Sequence, residues 1–118
     1  MTKPEFLVNK WHELRVPVQG GDLFLAFHDC DTADAPVVVF HANGRTGWSY
    51  RRLVEDELDK RPVYLIDFRG HGRSTASFDP DTLTNWQSFF TDAESVLAFI
   101  KAREAQAPHI FGHSLGAL

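Results

Sequence analysis

The sequence contains a single cysteine, Cys30, so no disulfide can form within the chain, and a small disulfide-stapled secreted scaffold is excluded. Long apolar stretches are missing as well. Runs such as Val37 to Phe40 fall far short of the ~20 residues that a membrane-spanning helix needs, so no membrane span is expected. The opening MTKPEFLVNKWHELRV lacks the apolar centre of a secretory signal, which makes a cytoplasmic location the default expectation. Twelve Lys and Arg stand against sixteen Asp and Glu, for a formal net charge of -4, and no block of like charge is long enough to follow a phosphate backbone. Nucleic acid is therefore not an expected partner. Repeats, low-complexity tracts and Pro- or Ser-rich linkers are absent too, and the chain reads as one unit.

What is present is a folding composition. Of 118 residues, 43% are hydrophobic and 24% charged, close to the average of globular domains, and the length suffices for a core. HELRVPVQGGDLFLAFHDC alternates apolar and polar residues around Gly20-Gly21, which predicts two antiparallel strands near 13–19 and 22–29 joined by a tight turn. After the polar DTADAP break, Val37-Val38-Val39-Phe40 has the β-branched character of a strand buried on both faces of a parallel sheet.

From Trp48, the residues Tyr50, Leu53, Val54 and Leu58 recur at helical spacing. RPVYLIDF supplies another buried strand, and RGHGRSTASFDPD its loop. A longer helix is predicted over about 82–104, with Trp86, Phe89, Phe90, Ala93, Val96, Leu97 and Ile100 on its apolar stripe and Thr84 and Gln87 as a capping box. The last strand is expected over 109–113. Strands alternating with helices predict an α/β fold: a mostly parallel sheet, helices on both faces, and an antiparallel N-terminal hairpin.

Three motifs carry the chemical interest. Gly112-His113-Ser114-Leu115-Gly116 is a G-x-S-x-G pattern, in which small flanking residues let a strand turn sharply into a helix and leave the serine exposed. A serine hydroxyl needs that exposure, together with a base and donors for the developing oxyanion, before it can act as a nucleophile. Alone, the three fixed positions are a weak signal. The segment His41-Ala42-Asn43-Gly44 directly follows the Val-rich strand, where backbone N–H groups could face an oxyanion, and Asp67-Phe68-Arg69-Gly70-His71-Gly72-Arg73-Ser74 follows the next strand.

With these three motifs in this order and at this spacing, the sequence resembles the α/β-hydrolase superfamily of the serine-nucleophile type. The resemblance runs from about residue 13 to the end and covers the first half of that family's domain. It implies that Ser114 attacks a substrate carbonyl and that the backbone amides of Leu115 and Asn43 form the oxyanion hole. Gly44 is the alternative donor, because Ala42 and Asn43 depart from the commoner His-Gly form of this loop. The resemblance also implies that Asp67 to Ser74 mainly builds the loop beneath the site. Members that open epoxides or displace halide use a carboxylate at the elbow, so Ser114 speaks for ester, thioester or related carbonyl substrates and an acyl-enzyme.

No cofactor is expected. The position that would complete G-x-G-x-x-G after Gly70 and Gly72 is Thr75, and no G-x-x-x-x-G-K-[ST] occurs. His41, His71 and His113 all fall at predicted strand ends and could converge on a metal, but they lack matching short spacings, and no metal is assigned.

The family's acid and histidine follow the serine along the chain, whereas all six histidines here precede Ser114. The expectation is therefore a single partial domain, residues 1–118, that stops at the nucleophile elbow. It would be the N-terminal fragment of a hydrolase of small-molecule substrates and nearly inert alone, with Ile110 and Phe111 on an uncovered sheet edge. The alternative expectation is a non-catalytic remnant or pseudoenzyme that only binds a partner. Oligomeric state is not readable from the sequence.

Overall fold

The computed structural model describes residues 10–32, 34–77 and 87–117. Strands β1 (Trp11–Val18) and β2 (Gly21–His28) form the expected hairpin, closed by Gln19-Gly20 with Gly20 at φ 87°. A side chain at that φ would crowd its own backbone, so glycine suits the turn. Strands β3 (Val37–Phe40) and β4 (Val63–Ile66) follow, then helix α1 (Gln87–Arg103) and strand β5 (His109–Gly112). The sheet is mixed, in the order β1-β2-β4-β3-β5. Strand β2 pairs antiparallel with β4, while β3 runs parallel to both β4 and β5.

Period-2 alternation divides the core between the two faces of the sheet. Leu23, Leu25, Phe27, Val38, Phe40, Tyr64 and Ile66 point to one side, where Phe89, Val96 and Ile100 of α1 cover them. Phe24, Ala26, Val39, Val63 and Leu65 point to the other side and pack against Val54, Tyr50 and Leu58. Burying one such large apolar side chain stabilises by roughly 1.5–3 kcal/mol, so the two layers together hold the sheet between its connections. Among the described residues no helix is long and apolar enough to cross a membrane.

Two local expectations differ from what is observed. The segment after Trp48 is not an α-helix but two 3-10 turns, Gly47–Tyr50 and Glu55–Glu57, linked by i→i+3 bonds such as Leu53 N–H to the Tyr50 carbonyl at 3.0 Å. Spacing of three to four residues serves both conformations, so the pattern did not fix the hydrogen-bond type; Tyr50, Val54 and Leu58 pack on the sheet, whereas Leu53 is exposed. On α1, Phe90 is exposed, and Asp92 takes a place on the buried stripe beside Phe89, Val96 and Ile100. The predicted residues 82–86, with Trp86 and the Thr84 half of the capping box, lie outside the described residues.

Register is what assembles the site. Phe40 pairs with Ile66 on one side and with Gly112 on the other, so β3, β4 and β5 end at the same level. Open α/β sheets bind ligands beyond the carboxyl ends of their strands, and the three motifs of the sequence leave the sheet there side by side. Strand β5 is the sheet's edge, with Ile110 and Phe111 exposed.

Candidate active site

The loop after β3 is built around a buried, neutral imidazole. His41 is fully buried; its Nδ1–H donates to the Ala42 carbonyl at 2.7 Å, and its Nε2 accepts the Phe68 N–H at 2.9 Å. Burial pushes its pKa below the ordinary imidazole value, although the Ala42 carbonyl pulls the other way. With both nitrogens committed, His41 can neither take a proton from a substrate nor ligate a metal. Among the described residues no group of three His, Cys, Asp or Glu is placed to hold a metal ion.

Beyond His41 the chain turns tightly. The Arg45 N–H donates to the Ala42 carbonyl at 3.0 Å, and Gly44 takes φ 79°, the pattern of a type II turn with glycine at its third position. The amides of this loop are unequal. Ala42 N–H donates to the Tyr50 hydroxyl at 2.9 Å, and Gly44 N–H donates to His71 Nε2 at 3.0 Å. Asn43 lies between them, exposed, and among the described residues no acceptor meets its backbone N–H.

The segment after β4 is a cross-braced support. Asp67 is buried, and its two carboxylate oxygens accept the N–H groups of Gly47 at 2.8 Å and Arg73 at 3.0 Å. A Cβ at Gly72, which sits at φ 50°, would strike the Asp67 carboxylate, so the turn and the acid require each other. Ser74 donates to the Asp67 carbonyl at 2.6 Å and accepts the Phe24 N–H at 2.8 Å. Arg69 makes a two-pronged pair with Asp92 of α1 at 2.7 and 2.9 Å, both residues buried, and also donates to the Gln19 and Ser77 carbonyls. That carboxylate raises the guanidinium's pKa further above its ordinary value. His71 directs Nδ1–H to the Arg69 carbonyl.

The turn after β5 has the opposite character. Ser114 is exposed and takes φ 54°, the one left-handed non-glycine residue among those described. Such a conformation costs a non-glycine residue of order 1–3 kcal/mol and persists only where its surroundings enforce it. They do so here. His113 N–H donates to the Phe40 carbonyl at 3.2 Å, Gly116 N–H donates to the His113 carbonyl at 3.0 Å, and a Cβ at Gly116 would run into the Phe40 carbonyl. The 3-10 turn Ser114–Ala117 is thereby pressed against the end of β3, beside the Asn43 loop. Leu115 lies in this turn, directly after the serine.

Tyr50 is the residue that sequence reading missed. It was legible only as one apolar member of a stripe, yet its hydroxyl lies 2.9 Å from His113 Nδ1 while it accepts the Ala42 N–H. Its one signal is chemical, in that a tyrosine with its ring packed against a core normally finds a partner for its hydroxyl, and Tyr50 is half-buried. A cleft of about 540 Å³ lined by residues including Trp11, Phe24, Trp48 and Arg73 opens on the hairpin side, and neither Asn43 nor Ser114 lines it.

This arrangement, a mixed sheet whose parallel strands all deliver their loops to one edge, is that of the N-terminal part of an α/β-hydrolase fold. Residues 37–118 match the alpha/beta hydrolase family, and the chain belongs to it. It is 31% identical over 88 residues to Ethanol acetyltransferase 1 of Hanseniaspora uvarum, covering 71% of this chain and 24% of that protein. Among solved structures it superposes on the thioesterase domain from the curacin biosynthetic pathway, with a TM-score of 0.74, 21% identity, and coverage of 92% of this chain and 37% of that one. Epoxide hydrolase A from Mycobacterium thermoresistibile is similar at a TM-score of 0.72 and 23% identity, with coverage of 92% and 33%. The chain thus spans about a quarter of the length of the acetyltransferase and about a third of each solved structure.

Proposed function

We propose that this chain supplies the nucleophile half of a serine hydrolase that acts on esters, thioesters or related carbonyl compounds. In the reaction, Ser114 Oγ gives its proton to a general base and attacks the carbonyl. The resulting oxyanion accepts hydrogen bonds from the Asn43 and Leu115 amides, the leaving group departs, and water hydrolyses the acyl-enzyme. The observation that carries this reading is the enforced left-handed backbone at an exposed Ser114, in a turn packed against the strand end that leads into Asn43. Strain of this kind concentrates at functional positions. Asn43 is favoured over Gly44 as the second donor, because the Gly44 amide is already given to His71.

The base and its acidic partner are assigned to sequence beyond the third of the fold that this chain spans. His41 and His71 have both ring nitrogens engaged, and the His113 ring turns to Tyr50. Without a base, residual catalysis over water in a well-studied serine hydrolase is only ~10³–10⁴-fold, so the 118 residues alone are expected to be nearly inert. The ethanol acetyltransferase named above fits acyl chemistry, whereas the thioesterase domain and the epoxide hydrolase, at 21% and 23% identity, share the fold alone.

The test is labelling with a fluorophosphonate probe in the longest reading frame that carries this sequence. Mass spectrometry should place the adduct on Ser114, and Ser114→Ala should abolish it; equal labelling of the Ala variant would sink the assignment. A second reading, a non-catalytic chain that binds a partner, is favoured by the exposed Ile110 and Phe111 on the β5 edge. An unlabelled wild-type protein would support it.

A further inference from the structure

Among the described residues, the Tyr50 hydroxyl meets both loops of the candidate site. It accepts the N–H of Ala42, the residue before Asn43, and it lies 2.9 Å from Nδ1 of His113, the residue before Ser114. A phenol oxygen that accepts one hydrogen bond still has its own proton to give, and His113 Nδ1 is the acceptor within reach. The two groups that must face one oxyanion therefore each sit one residue beyond a contact to the same oxygen.

The tyrosine itself stands on a firm base. A Cβ at Gly47 would lie 2.7 Å from the Ile66 backbone nitrogen, so the turn Gly47–Tyr50 rests directly on β4. The Gly47 N–H is held by the Asp67 carboxylate at 2.8 Å. The Tyr50 ring packs 6.2 Å from that of Phe111 on β5 and 6.0 Å from that of His113. The contact to His113 joins residues 63 positions apart, which no local folding preference could arrange.

We propose that Tyr50 is a positioning residue: its hydroxyl sets the spacing between the Asn43 amide and Ser114, so that the oxyanion formed by attack of Ser114 meets its donors at bonding distance. The inference rests on Ser114 being the nucleophile. Oxyanion donors act at 2.7–3.1 Å, and a displacement of about 1 Å at a reacting centre can cost ~10²-fold in rate. Tyr50→Phe keeps the ring packing and removes the hydroxyl, leaving the Ala42 N–H and His113 Nδ1 without this partner.

The experiment uses the longest reading frame that carries this sequence, with p-nitrophenyl acetate as substrate and an aryl trifluoromethyl ketone as the probe that forms an oxyanion on the serine. In Tyr50→Phe, kcat and kcat/KM should fall together by ~10–100-fold with KM unchanged, and affinity for the ketone should fall in parallel. His113→Ala approaches the same contact from the other side, and the double variant should lose little more than either single one. Unchanged kcat and ketone affinity in Tyr50→Phe, with Ser114 still labelled by fluorophosphonate, would overturn this proposal alone. So would fully additive losses in the double variant. Absence of wild-type labelling at Ser114 would overturn the nucleophile reading and this proposal with it.

Discussion

The loop from Asp67 to Ala76 and the turn from Gly112 to Ala117 look equally rich in chemistry as strings of letters, and the structure makes them physical opposites. In the first, Asp67, Arg69, His71 and Ser74 each hold at least two hydrogen-bonding partners, and Asp67 and Arg69 are buried. In the second, Ser114 is exposed on a left-handed backbone. A polar side chain whose hydrogen-bonding capacity is already used is scaffolding. One held exposed against its backbone preference is the candidate for chemistry, and the neighbouring strand end enforces its conformation.

That contrast can be broken at its strongest point. Asp92→Ala would leave the Arg69 guanidinium buried beside the Gln19 and Ser77 carbonyls without its counter-charge, and removing one partner of a buried pair typically destabilises by about 3–5 kcal/mol. Denaturant unfolding of the longest frame should show that loss; a change below about 1 kcal/mol would mean that the pair does not brace the loop.

A smaller effect is expected from acid. Burial lowers the pKa of both His41 and His28 from 6.5, so the unfolded chain binds protons at a higher pH than the folded one. Stability from these two groups is complete above about pH 6.5 and declines as pH falls below it toward their depressed folded values. The unfolding midpoint, measured from pH 8 to pH 5, should be level and then fall; a rise on acidification would contradict the buried neutral state of His41.

The smallest effect has the opposite sign and sharpens the comparison most. Ser114→Gly relieves the positive φ and should raise stability by up to about 1 kcal/mol while abolishing fluorophosphonate labelling. A substitution in the Asp67 loop should do the reverse, lowering stability without abolishing that labelling. If Ser114→Gly destabilises, the strain account of the turn is wrong.

Much of the fold was legible because strands are local objects. The Val-rich run became β3, and the alternation around Gly20-Gly21 became the hairpin, with strand ends within about two residues of expectation. The α1 stripe was legible except at Phe90, which is exposed, and at Asp92, since hydrophobic periodicity has no means of marking a buried acid that is tolerated only through a partner 23 residues away. The 3-10 turns were not distinguishable from an α-helix because both present residues three to four apart on one side. At the candidate site, Ser114 and the Asn43 loop were legible from motif spacing. The contacts of Tyr50 were not, because one of its two hydrogen bonds reaches a residue 63 positions away.

From the sequence alone came the alternation of strands and connections, the order of the three motifs, and the family they point to. These follow from short-range patterns and from residue types whose chemistry is intrinsic. The tertiary structure decided which strands are neighbours, and therefore that the loops after β3 and β5 share one edge. It also decided that His41 and His71 are bound into the scaffold, and that the Tyr50 hydroxyl of the connecting turns meets both the Ala42 N–H and the His113 ring. Pairing and burial are set by contacts between distant segments, and whether a polar group is committed or free is determined only by what surrounds it.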